Sequence, residues 1–508
     1  MQQVHNENKD TLNHQTPMTK SIQSNLLQGD KLYEDGEYSK AFRVYYSLLP
    51  FILECKDIQC TNKIIIYQKL GLSSFKKADY SMASDYLCKA LEMIKVMSPQ
   101  DVVTKAKIII NLGEVNLVQD KYTETLENFN AALEILLQYK DQEPFELANC
   151  INNFAELYKK QGKYTESLVE LNKALQLFNL PTNENNHIIA TSYYHMGSVY
   201  KCLAEYKLAF EYAEKASQIR QNLYTNQHPE VAMCYNLIGN IWLEQGKYSE
   251  ALKNYNNSFA IRLRFLGAQH PSVASSYNNI GITLFELGNY DEALMNHKKA
   301  LAIRKTCFNN NHPDIAASYN NIAAVFYNER RYSKALKYYN KALDIRLKFF
   351  AEDHPNIAAS YNNIGNVYQE LRSFDKAQEN LLKSLDIKLK NFDPNHPEVA
   401  TSYNNLGVVY LNRGDNFKAF TSYMKSLKIR LKFFGTKHYE VADSYFNLGL
   451  LFQEQKDFES GISCHMKSNQ IYSLIFNQQN ENVRDSKSQL EYFDKQKAEL
   501  HTNNDFNI

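Results

Sequence analysis

His228, His270, His312, His354, His396 and His438 stand 42 residues apart, and the first five each precede a proline. A period of this length, held without insertion, confines a chain to one small unit that recurs and buries its apolar face against the next. The phrase Ser-Tyr-Asn-Asn-Ile-Gly ends at Gly281 and Gly365, and its variants end at Ala323 and Gly407. Carried outward in the same register, small residues hold three positions. The first runs from Gly29 through Gly71, Gly113, Ala155, Gly197 and Gly239 to Gly449, and is Gly or Ala in all eleven copies. The second runs from Ala41 to Gly461 and admits nothing larger than Thr125. The third is Ala or Ser from Ala90 to Ser468, after Leu48 in the first copy.

Each copy reads as two helices. Val273, Tyr277, Ile280, Leu284 and Leu287 lie on one helical face. Pro271 suits the first turn of that helix. Gly288-Asn289-Tyr290 supplies a turn, and Asp291 and Glu292 suit the start of a second helix. In the next copy Ala335, Tyr338, Ala342, Ile345 and Phe349 form one apolar stripe, with Leu336, Tyr339, Leu343, Leu347 and Phe350 beside it. So wide an arc has to pack on the following copy as well as on its own partner. An aromatic follows the turn in most copies, from Tyr38 to Phe458, and plugs the joint. In the tenth copy it slips by one to Phe417, which predicts an irregular turn there.

Composition agrees with this and removes other classes. Gly 17 and Pro 11 in 508 residues are about half the usual share, too few for a sandwich or propeller, which spend them at every connection. A net charge of +1 disfavours dedicated nucleic-acid binding. The eight cysteines form no C-x-x-C pair, as expected of buried thiols in a reducing compartment. The polar N-terminus lacks a signal-peptide core and no apolar run reaches a membrane span, so a soluble cytoplasmic protein is expected.

The pattern Y-N-N-I-G, then G-x-Y-x-x-A and a later A-L, resembles the tetratricopeptide repeat. The 42-residue unit, the Ile303-Arg304 pair and the His-Pro loop resemble its kinesin-light-chain type. The resemblance implies an all-α, right-handed α-solenoid (superhelix) of eleven helix-turn-helix repeats. Their expected bounds are 18–59, 60–101, 102–143, 144–185, 186–227, 228–269, 270–311, 312–353, 354–395, 396–437 and 438–479. Residues 1–17 are expected to be a disordered polar tail, 480–501 a capping helix and 502–508 a second tail.

Three ladders recur in this register. The histidines read as helix-start signals, since equivalent residues one repeat apart cannot share a coordination sphere about 2 Å in radius. No metal or cofactor is expected. Arg220, Arg262, Arg304, Arg346, Lys388 and Arg430 read as cations offsetting the dipoles of the second helices. Asn111, Asn153, Asn279, Asn321, Asn363, Asn405 and Asn447 precede the first small position by two residues. The resemblance puts them on the concave groove, where an amide can both donate to and accept from the main chain of a bound peptide. The alternative is that they satisfy repeat-to-repeat polar groups. Lys69 and Lys107 are the main basic groove positions, while Glu244, Glu286, Glu370 and Glu454 line another, which argues against a clamp for chaperone C-termini.

No phosphate loop, zinc-protease motif or nucleophile elbow is present, so no enzyme is expected. The expectation is a protein-protein interaction scaffold that takes peptides or partner proteins in its groove, with no nucleic acid and no membrane insertion. The narrower role implied by resemblance is a kinesin-light-chain-like cargo adaptor or a cytoskeletal or ciliary assembly factor. With no heptad run before the first copy, coupling to a motor through a coiled coil is not expected. A regulatory, ligand-sensing subunit of an enzyme on another chain is the alternative from a different class.

Overall fold

The computed structural model describes residues 17–54, 60–97, 101–178, 187–308, 310–476, 480 and 482–492. Among them every regular element is an α-helix. The sixth copy is Pro229–Glu244 and Tyr248–Leu266, the ninth Pro355–Glu370 and Phe374–Asn391, and the tenth Pro397–Asn412 and Asn416–Phe434. Of the tail expected over 1–17, only Pro17 is described, and it opens the helix Pro17–Glu34. The tail expected over 502–508 lies outside the described residues. Within the segment expected to cap the array, residues 482–492 are helical, and Val483, 2% exposed, shares a core cluster with Ile471 and Tyr472.

The chain divides into two compact units, Met1–Asn289 and Tyr290–Ile508, so the division falls inside the seventh copy. Within each unit the architecture is the same α-solenoid. A second helix packs on its own first helix and on the first helix of the next copy. First helices of successive copies touch one another, as Pro355–Glu370 touches Pro397–Asn412 and that helix touches Tyr439–Glu454. First helices therefore gather along one inner edge, and second helices face outward.

The three small registers are buried from copy to copy. Where the first is Gly, the side chain 16 residues on fills its space. A Cβ on Gly239 would stand 2.7 Å from Tyr255 Cε1, and one on Gly365 2.8 Å from Leu381 Cγ. In copy five the facing residue is only Ala213, and the backbone comes in instead, its nitrogen 3.1 Å from a Cβ on Gly197. A fourth register position emerges in the turns: Gly36, Ala78, Asp120, Gly162, Ala204, Gly246, Gly288, Arg330, Arg372, Gly414 and Lys456 all have positive φ. This left-handed residue ends each first helix, and at Arg330 and Arg372 a non-glycine residue carries the strain.

The tenth copy departs from expectation. Its turn is regular, with Gly414 at φ 78 like its counterparts, and the second helix begins at Asn416 in register. Phe417 plugs nothing; it is 80% exposed. The helix start is fixed by the Asp415 cap, whose carboxylate accepts from the Lys418 N–H, so the aromatic one residue late simply points outward.

The basic ladder does more than the sequence reading assigned to it. Its members do lie toward the ends of the second helices, but they also act as staples between copies, buried except for the half-buried Arg262. Arg304, Arg346 and Arg430 are 6%, 9% and 4% exposed. Arg346 Nη1 donates to the Asn356 carbonyl at 3.1 Å and to Ser360 Oγ at 2.7 Å; Arg430 Nη1 donates to the Glu440 carbonyl and Ser444 Oγ, both at 2.9 Å. Each cation thus pins the first turn of the next copy. Ten residues after each basic residue lies the accepting carbonyl, and fourteen after lies the hydroxyl, with Cys234 taking the hydroxyl's place for Arg220.

The histidines complete the same joint. His438 Nδ1 accepts from the Glu440 N–H at 3.3 Å, and its ring stacks on Phe434 with centroids 3.8 Å apart. His312 on Phe308 and His354 on Phe350 repeat the stack. A cap acceptor has to stay unprotonated. Burial, then Arg430, pushes the His438 pKa down to about 4. Because the folded value lies below the unfolded one near 6.5, the stabilisation is complete above about pH 6.5 and is lost as pH falls toward 4. Thermal unfolding at pH 7.5 and pH 5 should therefore differ, with His438 alone contributing on the order of 1–2 kcal/mol. His438→Asn, which caps without titrating, should flatten that dependence; an unchanged pH profile would show that the ring is not held neutral.

Candidate peptide-binding groove

The asparagine ladder lies on the first helices, along the inner edge, and its seven members are half-buried. Successive rungs are linked. Asn363 Nδ2 donates to Asn320 Oδ1 at 2.8 Å, Asn405 to Asn362 at 2.9 Å and Asn447 to Asn404 at 2.9 Å. The second asparagine of each copy therefore reaches back to the first asparagine of the copy before. Asn279 does the same to Asn236 at 2.9 Å, and Asn153 donates to Glu114 at 2.8 Å. Asn111 and Asn321 occupy the same register.

Each bond consumes one of two amide hydrogens on Asn363, Asn405 and Asn447. The carbonyl oxygen and the other hydrogen of each amide remain outside that bond. The preceding asparagines hold the amides in orientation. Asn152 differs: fully buried, it accepts from Ser192 Oγ at 2.8 Å and donates to the Ile188 carbonyl.

The ladder is interrupted in copies five and six. His195 and Leu237 take its place. His195 Nδ1 lies 2.9 Å from Glu156, which also pairs with Lys159 at 2.6 Å. Burial alone would raise the Glu156 carboxyl, but His195 and Lys159 outweigh it and hold the group at about 2. Leu237 is buried. Within a single unit the longest run of asparagines is thus Asn321, Asn363, Asn405 and Asn447, in the second.

The first unit also folds back on itself. His228 Nε2 donates to the Glu34 carbonyl at 2.8 Å, and His270 Nε2 to the Lys76 carbonyl at 3.0 Å. Lys76 Nζ reaches Glu230 at 3.2 Å. Burial would raise the Glu230 carboxyl, yet Lys76 and then Arg220 pull it down to about 2. Gly36 stands so near Pro229 that a Cβ there would lie 2.6 Å from its ring. Copies one and two are thereby tied to copies six and seven by contacts 194 residues apart, which no multiple of 42 announces.

The charged positions expected to line a groove are engaged in part. Lys69 pairs with Asp30 at 2.7 Å and Lys107 with Glu146 at 3.2 Å. Glu286 and Glu370 accept from Tyr248 and Tyr332, the aromatics after the turn one copy earlier, at 3.4 and 3.0 Å. Among the described residues no group of His, Cys, Asp and Glu could hold a metal ion, and no helix is long and apolar enough to cross a membrane.

A family model described as tetratricopeptide repeat matches residues 104–180, 188–262, 238–306, 314–390, 360–431 and 398–472. No curated protein sequence matches the chain. Among solved structures, nearly identical TPR-like repeats of a putative kinesin light chain from Podosopora anserina are 22% identical, covering 40% of this chain and 97% of that one, with a TM-score of 0.34. BtubC (BKLC) from P. vanneervenii is 23% identical over 46% of this chain and 91% of its own, with a TM-score of 0.37. A Rap protein complexed with competence and sporulation factor is 14% identical over 73% of this chain and 98% of its own; its TM-score of 0.54 marks a shared fold.

Proposed function

Because this chain belongs to the tetratricopeptide-repeat family, we propose that it is a non-catalytic scaffold that holds an extended peptide segment of a partner protein along the inner edge of its second unit. The observation that carries the reading is the run Asn321, Asn363, Asn405 and Asn447. Three of its amides are oriented by bonds to the copy before, and each keeps a donor and an acceptor for main chain. Such amides recognise backbone and leave sequence preference to their neighbours. Glu370, which already accepts from Tyr332, and Glu454 favour a segment of neutral or positive character.

The test is partner capture. Immobilised full-length protein is used to recover partners from native extract, and the variant Asn321→Ala/Asn363→Ala/Asn405→Ala is run beside it. Loss of capture by at least about tenfold, each tenfold corresponding to about 1.4 kcal/mol, is expected with far-UV circular dichroism unchanged. Equal capture of an identified partner by the variant would assign the ladder to repeat stacking alone.

A further inference from the structure

The outward faces of two second helices carry opposite charge in one register. In copy ten, Asn416–Phe434 contains Lys418, Lys425, Lys428, Arg430 and Lys432 and no acidic residue. Arg430 is the buried staple; the four lysines are exposed. Lys418, Lys425 and Lys432 recur every seven residues, so they line one face about 10.5 Å apart. Phe417, 80% exposed, and Met424, 42% exposed, share that face. Copy eight repeats the lysines at Lys334, Lys341 and Lys348, also exposed. In copy three the sign is reversed. Tyr122–Leu137 contains Glu124, Glu127 and Glu134, all exposed, and no basic residue. Glu124 and Glu134 hold the register positions of Lys418 and Lys428, and Leu126 and Leu137 are exposed beside them at 38% and 56%.

Neither face is neutralised within the molecule. Among the described residues none of the three glutamates forms an ion pair, and of the four lysines only Lys418 does, with Asp415 at 2.8 Å. The whole chain sums to +1, so net charge conceals this segregation. We propose that the two faces are the halves of one interface between copies of this chain, the lysine face of copy ten on one molecule meeting the glutamate face of copy three on another. The partner is chosen by complementarity present on both sides: four lysines with Phe417 and Met424 against three glutamates with Leu126 and Leu137. The two patches differ, so the contact is heterologous. A pair therefore keeps one free face of each sign, a glutamate face on one molecule and a lysine face on the other, and assembly proceeds head to tail. This inference is independent of the inner-edge reading, because it uses only outward residues.

Sedimentation velocity of the full chain tests it. In about 20 mM salt the mass-average species should grow with protein concentration, and in about 500 mM salt it should return to the monomer, since screening shortens the reach of charge from above 10 Å to below it. Lys418→Glu/Lys425→Glu/Lys428→Glu and Glu124→Lys/Glu127→Lys/Glu134→Lys should each lower the self-association constant at least about tenfold. Mixing the two variants should restore association, because the acidic copy ten of one then meets the basic copy three of the other. Circular dichroism checks that both variants remain helical. A monomer at every concentration in low salt overturns the proposal, as does a mixture that stays monomeric while both variants are folded.

Discussion

Gly407→Val is expected to lower the stability of the second unit by about 3 kcal/mol or more. Helix propensity alone predicts the opposite sign, since replacing a mid-helix glycine by alanine favours the helix by about 1 kcal/mol. The steric term wins because a Cβ at this position would stand 2.5 Å from Tyr423 Cε1, and Tyr423 is 1% exposed with no direction in which to retreat. Copy eight shows how far the joint can adapt. There Ala323 faces Tyr339, which is 6% exposed, so one methyl group fits when the whole copy is built around it. Gly407→Ala should therefore cost about 1–3 kcal/mol, and the two further methyls of valine make the difference. Adding Tyr423→Leu to Gly407→Val should recover part of the loss, because copy four already joins Ala155 to Leu171, both fully buried. Denaturant unfolding followed by circular dichroism reads the order. If Gly407→Val unfolds no earlier than Gly407→Ala, close helix approach is not what the small register provides.

The small registers were legible because periodicity makes a packing constraint visible eleven times over. What lies 16 residues on was less so, since Tyr255, Leu381 and Tyr423 vary in size and shape while meeting one demand. The left-handed turn position was visible at Gly288 and hidden at Arg330 and Arg372, where strain is carried by residues that do not advertise it. The basic ladder was seen at the helix ends but its second role was missed: its in-register partners, Ser318, Ser360 and Ser444 fourteen residues on, belong to the next copy. A search for polar pairs at that spacing would have found them. The ladder picked out Asn363, Asn405 and Asn447 as candidates, whereas their bonds to the preceding asparagines follow from how copies stack. The tie between His228 and Glu34 had no signal at all, because it depends on how far each copy rotates against the last.

Arg430→Met should cost about 3–5 kcal/mol, the range for removing one partner of a buried, hydrogen-bonded pair. Three groups lose their partner together. The Glu440 carbonyl and Ser444 Oγ each lose a donor at 2.9 Å, and the Glu440 carboxylate loses the guanidinium at 3.1 Å. Ser444 can still donate to the Glu440 carbonyl, 3.1 Å away, so the carboxylate bears most of the penalty. Burial already raises the Glu440 pKa and Arg430 opposes it. Without the arginine the carboxyl should take up a proton at higher pH, so the loss should shrink as pH falls toward 5. Arg430→Lys should cost less, about 1–2 kcal/mol. Copy nine supplies the comparison: Lys388 donates to the Glu398 carbonyl at 3.1 Å and pairs with its carboxylate at 2.9 Å. Its single ammonium replaces the guanidinium fork that in copy ten also holds the serine. The double variant Arg430→Met/Glu440→Leu should regain stability over Arg430→Met alone, since removing both charges leaves no charge buried and unpaired. Urea unfolding of the four proteins at pH 7.5 decides the matter. A penalty below about 1 kcal/mol for Arg430→Met would return the ladder to the status of a surface cation near a helix end.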